Sequence, residues 1–281
     1  MTISLNRTKA ILQKHKLRPQ KARGQNFLID DNILQKTIAA AGITACDGVI
    51  EIGPGLGALT ARLLSQAKRV LAYEIDERFI DVLKQELPQQ ERLLLLHEDF
   101  LKADLDFAKD YFQDCAKVYV ISNIPYYITT PIISKLLKSS FRFEKILLMM
   151  QKEVGLRLVA RPGTKDYNAF SVFVQTKSLV RLVFDVSAHC FIPKPEVDSV
   201  LVEIIPKNEE PKENEAQFFT FVQNIFANRR KTLLNNLLRT YPSTRNQLEE
   251  LFRELHININ IRSENLDLKQ IHDLFQKMNI S

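Results

Sequence analysis

The chain has 281 residues, of which 45% are hydrophobic and 26% charged, and its formal net charge is +6. This composition is typical of a globular protein with one large domain or two smaller ones, and no apolar run approaches the ~18 residues of a spanning helix, which excludes an integral membrane protein. The three cysteines, Cys46, Cys115 and Cys190, suggest neither a disulfide framework nor a zinc cluster, and the five histidines lack metal-binding spacing. We therefore expect no metal and a reducing, cytoplasmic environment.

Positive charge is concentrated at the N-terminus. The first 29 residues carry +7 with no acidic residue, and the remaining 252 carry −1. Such a basic arm indicates a polyanionic partner such as nucleic acid, although a solvated, partly disordered terminus explains the composition equally well. The arm resembles a transit peptide in composition, but it runs without a break into a motif described below, so we do not expect it to be cleaved.

From residue 48 onward, short apolar runs alternate with segments of helical periodicity. The runs predict strands at 48–53, 69–76, 93–99, 117–123 and 145–150, and the periodicity predicts helices at 58–67, 77–87, 104–113 and 130–139. This alternation is typical of βαβ units in a doubly wound α/β parallel sheet, whose ligands bind at the carboxyl ends of the strands. Two later runs, 179–186 and 199–205, predict a hairpin at the sheet edge.

A charged segment with two prolines, 206–216, predicts a linker. The rest of the chain, 217–281, has helical patterns and no strand-like alternation. We expect an apolar stripe on one helix at Leu233, Leu234, Leu237 and Leu238. Ser243 is a candidate N-cap for a helix at 244–255, and a last helix is expected at about 266–278. Together these elements predict a small all-α domain.

A glycine-rich loop follows the first strand of the predicted sheet. Its spacing, Gly53-x-Gly55-x-x-Ala58, fits a dinucleotide fingerprint, and Glu74 lies where that fingerprint has its ribose-binding acid. The same residues fit any adenosine cofactor, and a tight strand-to-helix turn is the structural alternative. The motif alone therefore leaves the ligand open.

Two further acids favour S-adenosylmethionine over a dinucleotide. Glu51 directly precedes the glycines, where it would repel a pyrophosphate but tolerate the cationic end of S-adenosylmethionine. Asp99 follows the third strand and is positioned to accept a hydrogen bond from an adenine amine, although it could equally cap the next segment.

The fourth strand ends in Asn123-Ile124-Pro125-Tyr126. The exocyclic amine of adenine is a poor nucleophile, because its lone pair is delocalised into the ring. The side-chain oxygen of Asn123 and the carbonyl of Ile124 could accept its two hydrogens and free that lone pair, with Pro125 fixing the turn and Tyr126 stacking on the base. A plain strand-to-loop turn is the alternative.

These motifs occur together with KARGQNFL at 21–28, AYEID, HEDF, FIPKPEVDS at 191–199 and FANRRK at 226–231. In this order they closely resemble the ribosomal RNA adenine N6-dimethyltransferase family, particularly its bacterial small-subunit branch. The resemblance covers nearly the whole chain. It implies a Rossmann-like S-adenosylmethionine-dependent methyltransferase sheet with a small C-terminal all-α domain. The expected divisions are a basic arm with the start of a cofactor lid (1–29), a methyltransferase domain (30–205), the linker (206–216) and an RNA-contacting helical domain (217–281).

The resemblance also implies roles for individual residues. The residues expected to bind the cofactor, S-adenosyl-L-methionine, are Gln25, Asn26, Leu28, Gly53, Gly55, Glu74, Ile75, Asp99 and Asn123. Those expected at the reacting base are Asn123, Ile124, Pro125, Tyr126 and Phe191, with Tyr126 and Phe191 on either side of a flipped adenine.

The implied substrate is small-subunit ribosomal RNA, dimethylated at two adjacent adenosines of its terminal hairpin in a preribosomal 30S particle. We expect a monomer that contacts RNA phosphates through Lys14, Lys16, Arg18, Lys21, Arg23, Arg229, Arg230 and Lys231. For the last three residues, a solvated helix face is an equally good interpretation.

Three rival functions share part of this pattern. A resistance methylase of large-subunit ribosomal RNA has the QNF, glycine-loop and NIPY elements, but the FIPKPEVDS and NRRK segments favour the small-subunit enzyme. A non-catalytic RNA-binding assembly factor on the same fold would be expected to lose cofactor or NIPY residues, which are intact. A dinucleotide oxidoreductase leaves NIPY and the basic arm without a role.

Overall fold

The fold was analysed in a computed structural model that describes residues 4–19, 24–87, 90–207 and 213–278. Lys21 and Arg23, two of the expected RNA contacts, lie outside these ranges. The chain forms two compact units. The first holds the described residues up to Gly155 and those from Ser178 to 207, and the second holds Leu156–Lys177 and those from 213 onward.

The elements are numbered in chain order. The strands are β1 (Phe27–Leu28), β2 (Gly48–Ile52), β3 (Arg69–Glu74), β4 (Leu93–His97), β5 (Val118–Asn123), β6 (Lys145–Gln151), β7 (Ser178–Val186), β8 (Phe191–Ile192) and β9 (Ser199–Pro206). The helices are α1 (Leu5–Lys14), α2 (Asp31–Ala41), α3 (Ala58–Gln66), α4 (Glu77–Glu86), α5 (Asp106–Tyr111), α6 (Thr129–Lys138), α7 (Lys152–Leu158), α8 (Ala169–Lys177), α9 (Glu215–Phe226), α10 (Leu233–Thr240), α11 (Arg245–Glu254) and α12 (Leu268–Lys277). Within the described ranges, no helix is long and apolar enough to cross a bilayer.

The first unit is built on a seven-stranded sheet of order β4-β3-β2-β5-β6-β9-β7. The pairs from β4 to β6 are parallel, and β9 is antiparallel to both β6 and β7. The predicted α/β sheet is confirmed, and the expected hairpin forms with β7 alone at the edge. All five residues of β2 are buried, as expected for a parallel strand that is covered on both faces. The order reverses between β2 and β5, which is where such sheets bind ligands.

The N-terminal segment is an ordered helix where the sequence indicated only a charged arm. Ser4 caps α1, and Thr8, Ile11 and Leu12 are buried on one face. Beyond the helix, His15 lies 3.1 Å from Glu86 at the end of α4. The spacing of the buried residues is that of an amphipathic helix, a pattern that the strong positive charge obscured.

The second unit includes more of the chain than the expected helical domain, 217–281. Tyr167 and Val172 are fully buried in a core that also contains Phe221 and Leu237. Because these side chains lie in the same apolar core, α8 belongs to the second unit, as do the last three residues of α7. The expected methyltransferase domain, 30–205, is therefore interrupted by Leu156–Lys177.

The start of α11 differs by one residue from the sequence expectation. Thr244 caps the helix in place of Ser243: its hydroxyl accepts the N–H of Gln247, whose side-chain oxygen accepts the N–H of Thr244 at 2.8 Å. This reciprocal pair requires Glu or Gln three residues after the cap. Gln247 stands in that position for Thr244, whereas Asn246 would do so for Ser243.

We predict that Gly57→Ala lowers the free energy of unfolding by about 2–4 kcal/mol. Gly57 has a φ of +80°, and an added Cβ would lie 2.9 Å from methyl carbons of Leu83 and Leu87, so backbone strain and overpacking both contribute. Gly42→Ala is the matched control, because Gly42 has a φ of +67° but nothing within 4 Å of an added Cβ. Urea denaturation of both variants measures the difference, and equal losses would contradict the packing argument.

Candidate active site

A cavity of about 320 Å³ opens at the carboxyl ends of the central strands. This volume is within the range of small-molecule sites. All the residues expected to bind the cofactor line it, namely Gln25, Asn26, Leu28, Gly53, Gly55, Glu74, Ile75, Asp99 and Asn123. Four of the five residues expected at the base line it as well: Asn123, Ile124, Pro125 and Tyr126. The fold therefore brings together residues that are up to 101 positions apart in the chain.

The glycine loop wraps around the end of β2 in left-handed conformations, with φ values of +70° at Gly53 and +56° at Gly55. Its glycines favour this backbone. A Cβ on Gly55 would lie 3.1 Å from the ring of Phe27. The missing side chain therefore leaves room for Phe27, and the backbone of the loop remains exposed to the cavity.

Glu74 is held at the end of β3 by backbone donors. One oxygen accepts the N–H of Gly55 at 3.1 Å and the other accepts the N–H of Asp76 at 2.9 Å. Burial raises the pKa of Glu74, although these N–H donors oppose the rise. Each carboxylate oxygen has a second lone pair, so the fixed side chain can still accept two ribose hydroxyls.

Glu51 is the buried acid of β2, with 2% of its surface exposed. Burial raises its pKa to about 8, and the charge of Glu74 also raises it. Within the described ranges, its Oε2 atom has no hydrogen-bond partner. A buried, unpaired carboxyl oxygen on the cavity wall suits a cationic ligand group. The ammonium end of S-adenosylmethionine therefore fits this site.

Asp99 makes a local capping bond and also faces the cavity. Its Oδ1 atom accepts the N–H of Leu101 at 3.0 Å, which is the local capping bond. The residue also lines the cavity, and its second oxygen remains available to accept a hydrogen bond from an adenine amine.

The lid segment, residues 24–28, forms one wall of the cavity. Its β1 strand pairs with β8, with Phe27 opposite Ile192 and Leu28 opposite Phe191. The Gln25 amide donates to Asp76 Oδ2 at 3.0 Å. The lid is therefore attached both to the strand after β7 and to the loop after β3.

The amide of Asn123 has a defined orientation. Its Nδ2 atom donates to the carbonyl of Asn26 at 3.2 Å, which leaves the side-chain oxygen free to accept. The N–H of Ile124 donates to Met149 at 3.3 Å. The carbonyl of Ile124 accepts no hydrogen bond in the part of the chain that the structure describes. Two acceptors are thus available side by side at the end of β5.

Tyr126 is anchored at its hydroxyl. The group lies 2.6 Å from the hydroxyl of Ser199, which begins β9 and is fully buried. Burial raises the pKa of Tyr126, and the nearby Asp198 raises it further, so the phenol is neutral at physiological pH. Because its hydroxyl is fixed, the ring has a defined place on the cavity wall that Asn123 also lines.

Phe191, which is expected beside the base, lies in the apolar core of the first unit in this structure. It is 3% exposed and is part of the core that contains Phe27 and Leu28, and it does not line the cavity. An apolar ring in a proline-containing loop packs readily as a hydrophobic anchor, which is what Phe191 does here. In this conformation it lies opposite Leu28 of β1 in the β1–β8 pair.

Several lining residues were not predicted from the sequence. Thr8 and Ile11 of α1 reach the cavity, as do Phe100, Leu101 and Ser122. The helical spacing of the first two could have revealed them. The others are ordinary buried residue types whose position depends on the fold, so no local signal distinguishes them.

The expected RNA-contacting residues fall into two groups. Lys16, Arg18, Arg230 and Lys231 are exposed. Lys14 and Arg229 are also exposed, but Lys14 lies 2.5 Å from Glu86 and Arg229 donates to the carbonyl of Lys165 at 2.8 Å. Residues 229–231 occupy the turn between α9 and α10, so the predicted helix face is not present.

No cluster of three or more His, Cys, Asp or Glu residues that could hold a metal ion occurs in the described ranges. The residues that line the cavity offer carboxylates, amides and backbone groups.

Comparison with known proteins gives a consistent match. The family model described as "Ribosomal RNA adenine dimethylase" matches residues 16–279. The "Ribosomal RNA small subunit methyltransferase A" of Bacillus licheniformis is 41% identical over 278 residues, covering 97% of this chain and 95% of the relative. The protein of the same name from Geobacillus thermodenitrificans is 43% identical over 274 residues, covering 95% and 94%.

Solved structures share the fold. A dimethyladenosine transferase from Plasmodium falciparum superposes with a TM-score of 0.75 at 28% identity, covering 90% of this chain and 97% of that one. The 23S rRNA methyltransferase ErmE superposes with a TM-score of 0.67 at 24% identity, covering 90% and 99%. At that identity, the second match is evidence for the fold alone.

We predict that binding of S-adenosylhomocysteine releases a proton from Glu51. With a pKa of about 8, this carboxyl is protonated in the ligand-free protein at pH 6.5. The ligand's ammonium group favours the carboxylate and lowers that pKa, so affinity should rise by up to about tenfold per pH unit and level off above pH 8. Calorimetry between pH 6 and 7.5, in buffers of different ionisation enthalpy, counts the protons. Glu51→Gln is the control, and equal proton release from the variant would contradict the assignment.

Proposed function

Because the chain belongs to the ribosomal RNA adenine dimethylase family, we propose that it methylates adenosine in small-subunit ribosomal RNA to N6,N6-dimethyladenosine, using S-adenosyl-L-methionine. We further propose that the targets are two adjacent adenosines in the 3′-terminal hairpin of 16S RNA. On this proposal the protein acts as a monomer on a preribosomal 30S particle in the cytoplasm.

The observation that carries the proposal is the pair of acceptors at the end of β5. The side-chain oxygen of Asn123 and the carbonyl of Ile124 are both available beside the glycine loop. An adenine amine that donates one hydrogen to each has its lone pair directed out of the ring plane. Neither acceptor has to remove a proton before the attack, so the site needs no strong base.

The cavity provides matching contacts for the cofactor. S-adenosylmethionine supplies a methyl group on a positively charged sulfonium. Glu51 would face its ammonium end, Glu74 its ribose hydroxyls and Asp99 its adenine amine. Ile75 is 52% exposed at the cavity, where it would cover an apolar face of the adenine. Apart from tyrosines, the ionisable residues that line the cavity in the described ranges are acidic, which suits a cation and disfavours a pyrophosphate.

The target base needs a stacking surface once it leaves its helix. Tyr126 offers one, because its hydroxyl is held by Ser199 and its ring lines the cavity. Phe191 would have to leave its buried position to cover the other face. We therefore assign base stacking to Tyr126 and support of the lid to Phe191.

The alternatives are less well supported. A large-subunit methylase would use the same site, but the curated relatives at 41–43% identity are named for the small subunit. A non-catalytic assembly factor would not need oriented acceptors beside a cofactor cavity.

We predict that the protein and labelled S-adenosylmethionine convert undermethylated small subunits to a form that contains N6,N6-dimethyladenosine. Mass spectrometry of digested RNA identifies the product and its position. Label confined to large-subunit RNA would overturn the substrate, and no label in either RNA would favour the binding factor.

Asn123→Ala is the control for this assay. It removes the amide oxygen that accepts from the target amine, so we expect transfer to fall by at least about a hundredfold. Binding of S-adenosylhomocysteine should remain measurable, because Glu51, Glu74 and Asp99 are unchanged. Full transfer by this variant would contradict the assigned mechanism.

The basic N-terminal segment is proposed to contact RNA phosphates. Lys9, Lys16 and Arg18 are exposed, whereas Ile11 and Leu12 pack in the core of the first unit. Deleting the whole segment would therefore remove core packing by Ile11 and Leu12 as well as positive charge. Substitution of exposed side chains isolates the electrostatic contribution.

We predict that replacing Lys9, Lys16 and Arg18 together by Gln weakens RNA binding and reduces the slope of log K against log salt by about two to three. Filter binding to small-subunit RNA at several salt concentrations measures it. The control replaces Lys68, Lys117 and Lys269, which lose the same charge but are paired with acids. Equal slopes for the two triple variants would contradict a local phosphate contact.

A further inference from the structure

We propose that Gln25 and Asp76 form a latch that positions the catalytic amide of Asn123. The latch holds the lid segment so that the carbonyl of Asn26 fixes the orientation of that amide. This inference rests on the proposed function, because it concerns the acceptor of the target amine. It assigns Gln25 to positioning and not to direct contact with the cofactor.

The first part of the latch is rigid. Asp76 is 4% exposed and caps the first turn of α4. Its oxygens accept from the Arg78 side chain at 2.8 and 2.6 Å. These bonds hold the pKa of Asp76 at about 2, so it is a carboxylate at neutral pH. A charged, buried acceptor tied to a helix terminus is a fixed point on the first unit.

The second part connects this fixed point to the lid. Gln25 reaches across 51 positions of the chain to donate to Asp76 Oδ2 at 3.0 Å. The next residue, Asn26, presents its backbone carbonyl to the Nδ2 atom of Asn123 at 3.2 Å. A single short segment therefore links the loop after β3 to the end of β5.

The orientation of the Asn123 amide decides whether the site can react. An amide has a donor end and an acceptor end. With Nδ2 bound to Asn26, the oxygen is available to the target amine. After a half-turn of the amide, Nδ2 would face the target, and two donors would oppose each other. The carbonyl of Asn26 prevents that half-turn only while the lid is in place.

A direct ligand role for Gln25 predicts a different pattern of defects. A side chain that only binds cofactor affects its dissociation constant, and its loss is overcome by saturating cofactor. A latch that orients Asn123 affects kcat, which saturation cannot restore. The polarity of the Gln25–Asp76 pair also matters for a latch, because one partner must donate and the other accept.

The test exchanges the two ends of the latch. Gln25→Glu places a carboxylate against Asp76 and should lower kcat at saturating cofactor by at least roughly tenfold. The double variant Gln25→Glu with Asp76→Asn reverses donor and acceptor and keeps a good helix cap, but its amide nitrogen no longer accepts from Arg78 Nη2. We therefore expect partial recovery, with a kcat at least about threefold above that of Gln25→Glu. Gln35→Glu is the matched control, because Gln35 donates to Asp31 at 3.0 Å on an exposed helix face.

Hydrogen exchange of the lid gives a readout that does not depend on RNA. Mass spectrometry of a peptide covering 24–28 should show faster exchange in Gln25→Glu and recovery in the double variant. A double variant that is no better than Gln25→Glu in both kcat and exchange would overturn the latch. So would a Gln25→Glu defect confined to the dissociation constant of S-adenosylhomocysteine. If the wild type fails to methylate small-subunit RNA, the proposed function is wrong, and exchange still decides the latch.

Discussion

The separation of two neighbouring strands creates the site on which the rest of the structure depends. Paired positions of β2 and β5 run only as far as Ile50 and Val120, although both strands continue. Beyond that point the hydroxyl of Ser122 accepts the N–H of Ile52 at 3.2 Å and also bonds its carbonyl. The Ser122 side chain thus provides hydrogen-bond partners for the backbone N–H and C=O of Ile52, which lie beyond the paired part of β2 and β5. The crevice opens directly above it, between the glycine loop and Asn123.

Three buried acids at this crevice, Glu51, Glu74 and Asp76, differ in their hydrogen-bond partners. Glu51 is enclosed and unpaired at Oε2, so its pKa is raised and it responds to a cation. Glu74 is nearly as buried but receives two backbone N–H bonds, which hold it for neutral hydroxyl donors. Asp76 is paired with Arg78, and it also accepts a hydrogen bond from Gln25 of the lid. The three carboxyls lie on adjacent strands or loops, yet their different hydrogen-bond partners suit them to the separate roles proposed for them: cation binding, ribose recognition and support of the lid.

The sequence predicted what depends on local pattern or on contiguous motifs. Runs such as 48–53 and 145–150 became β2 and β6, and the motif at 123–126 lies in the cavity as expected. Features that depend on partners distant in the chain were not predictable. Nothing in the sequence near Phe191 reveals that β8 pairs with β1, and nothing near Tyr167 reveals that its ring packs against Phe226. In both cases the deciding contact joins segments more than 50 residues apart.

The positive charge of the N-terminal segment obscured the amphipathic pattern of helix α1. The first 29 residues carry seven positive charges and no acidic residue, a composition that indicated a basic arm. In the folded chain, Thr8 and Ile11 of this segment form part of the cavity wall, and Lys14 is paired with Glu86. Lys9 projects from the exposed face of the same helix. A helix that carries apolar contacts on one side cannot be a freely solvated tail, because releasing it would expose Ile11 and Leu12 to water. The charges of Lys9 and Lys14 are therefore carried by a helix whose other face forms part of the cavity wall.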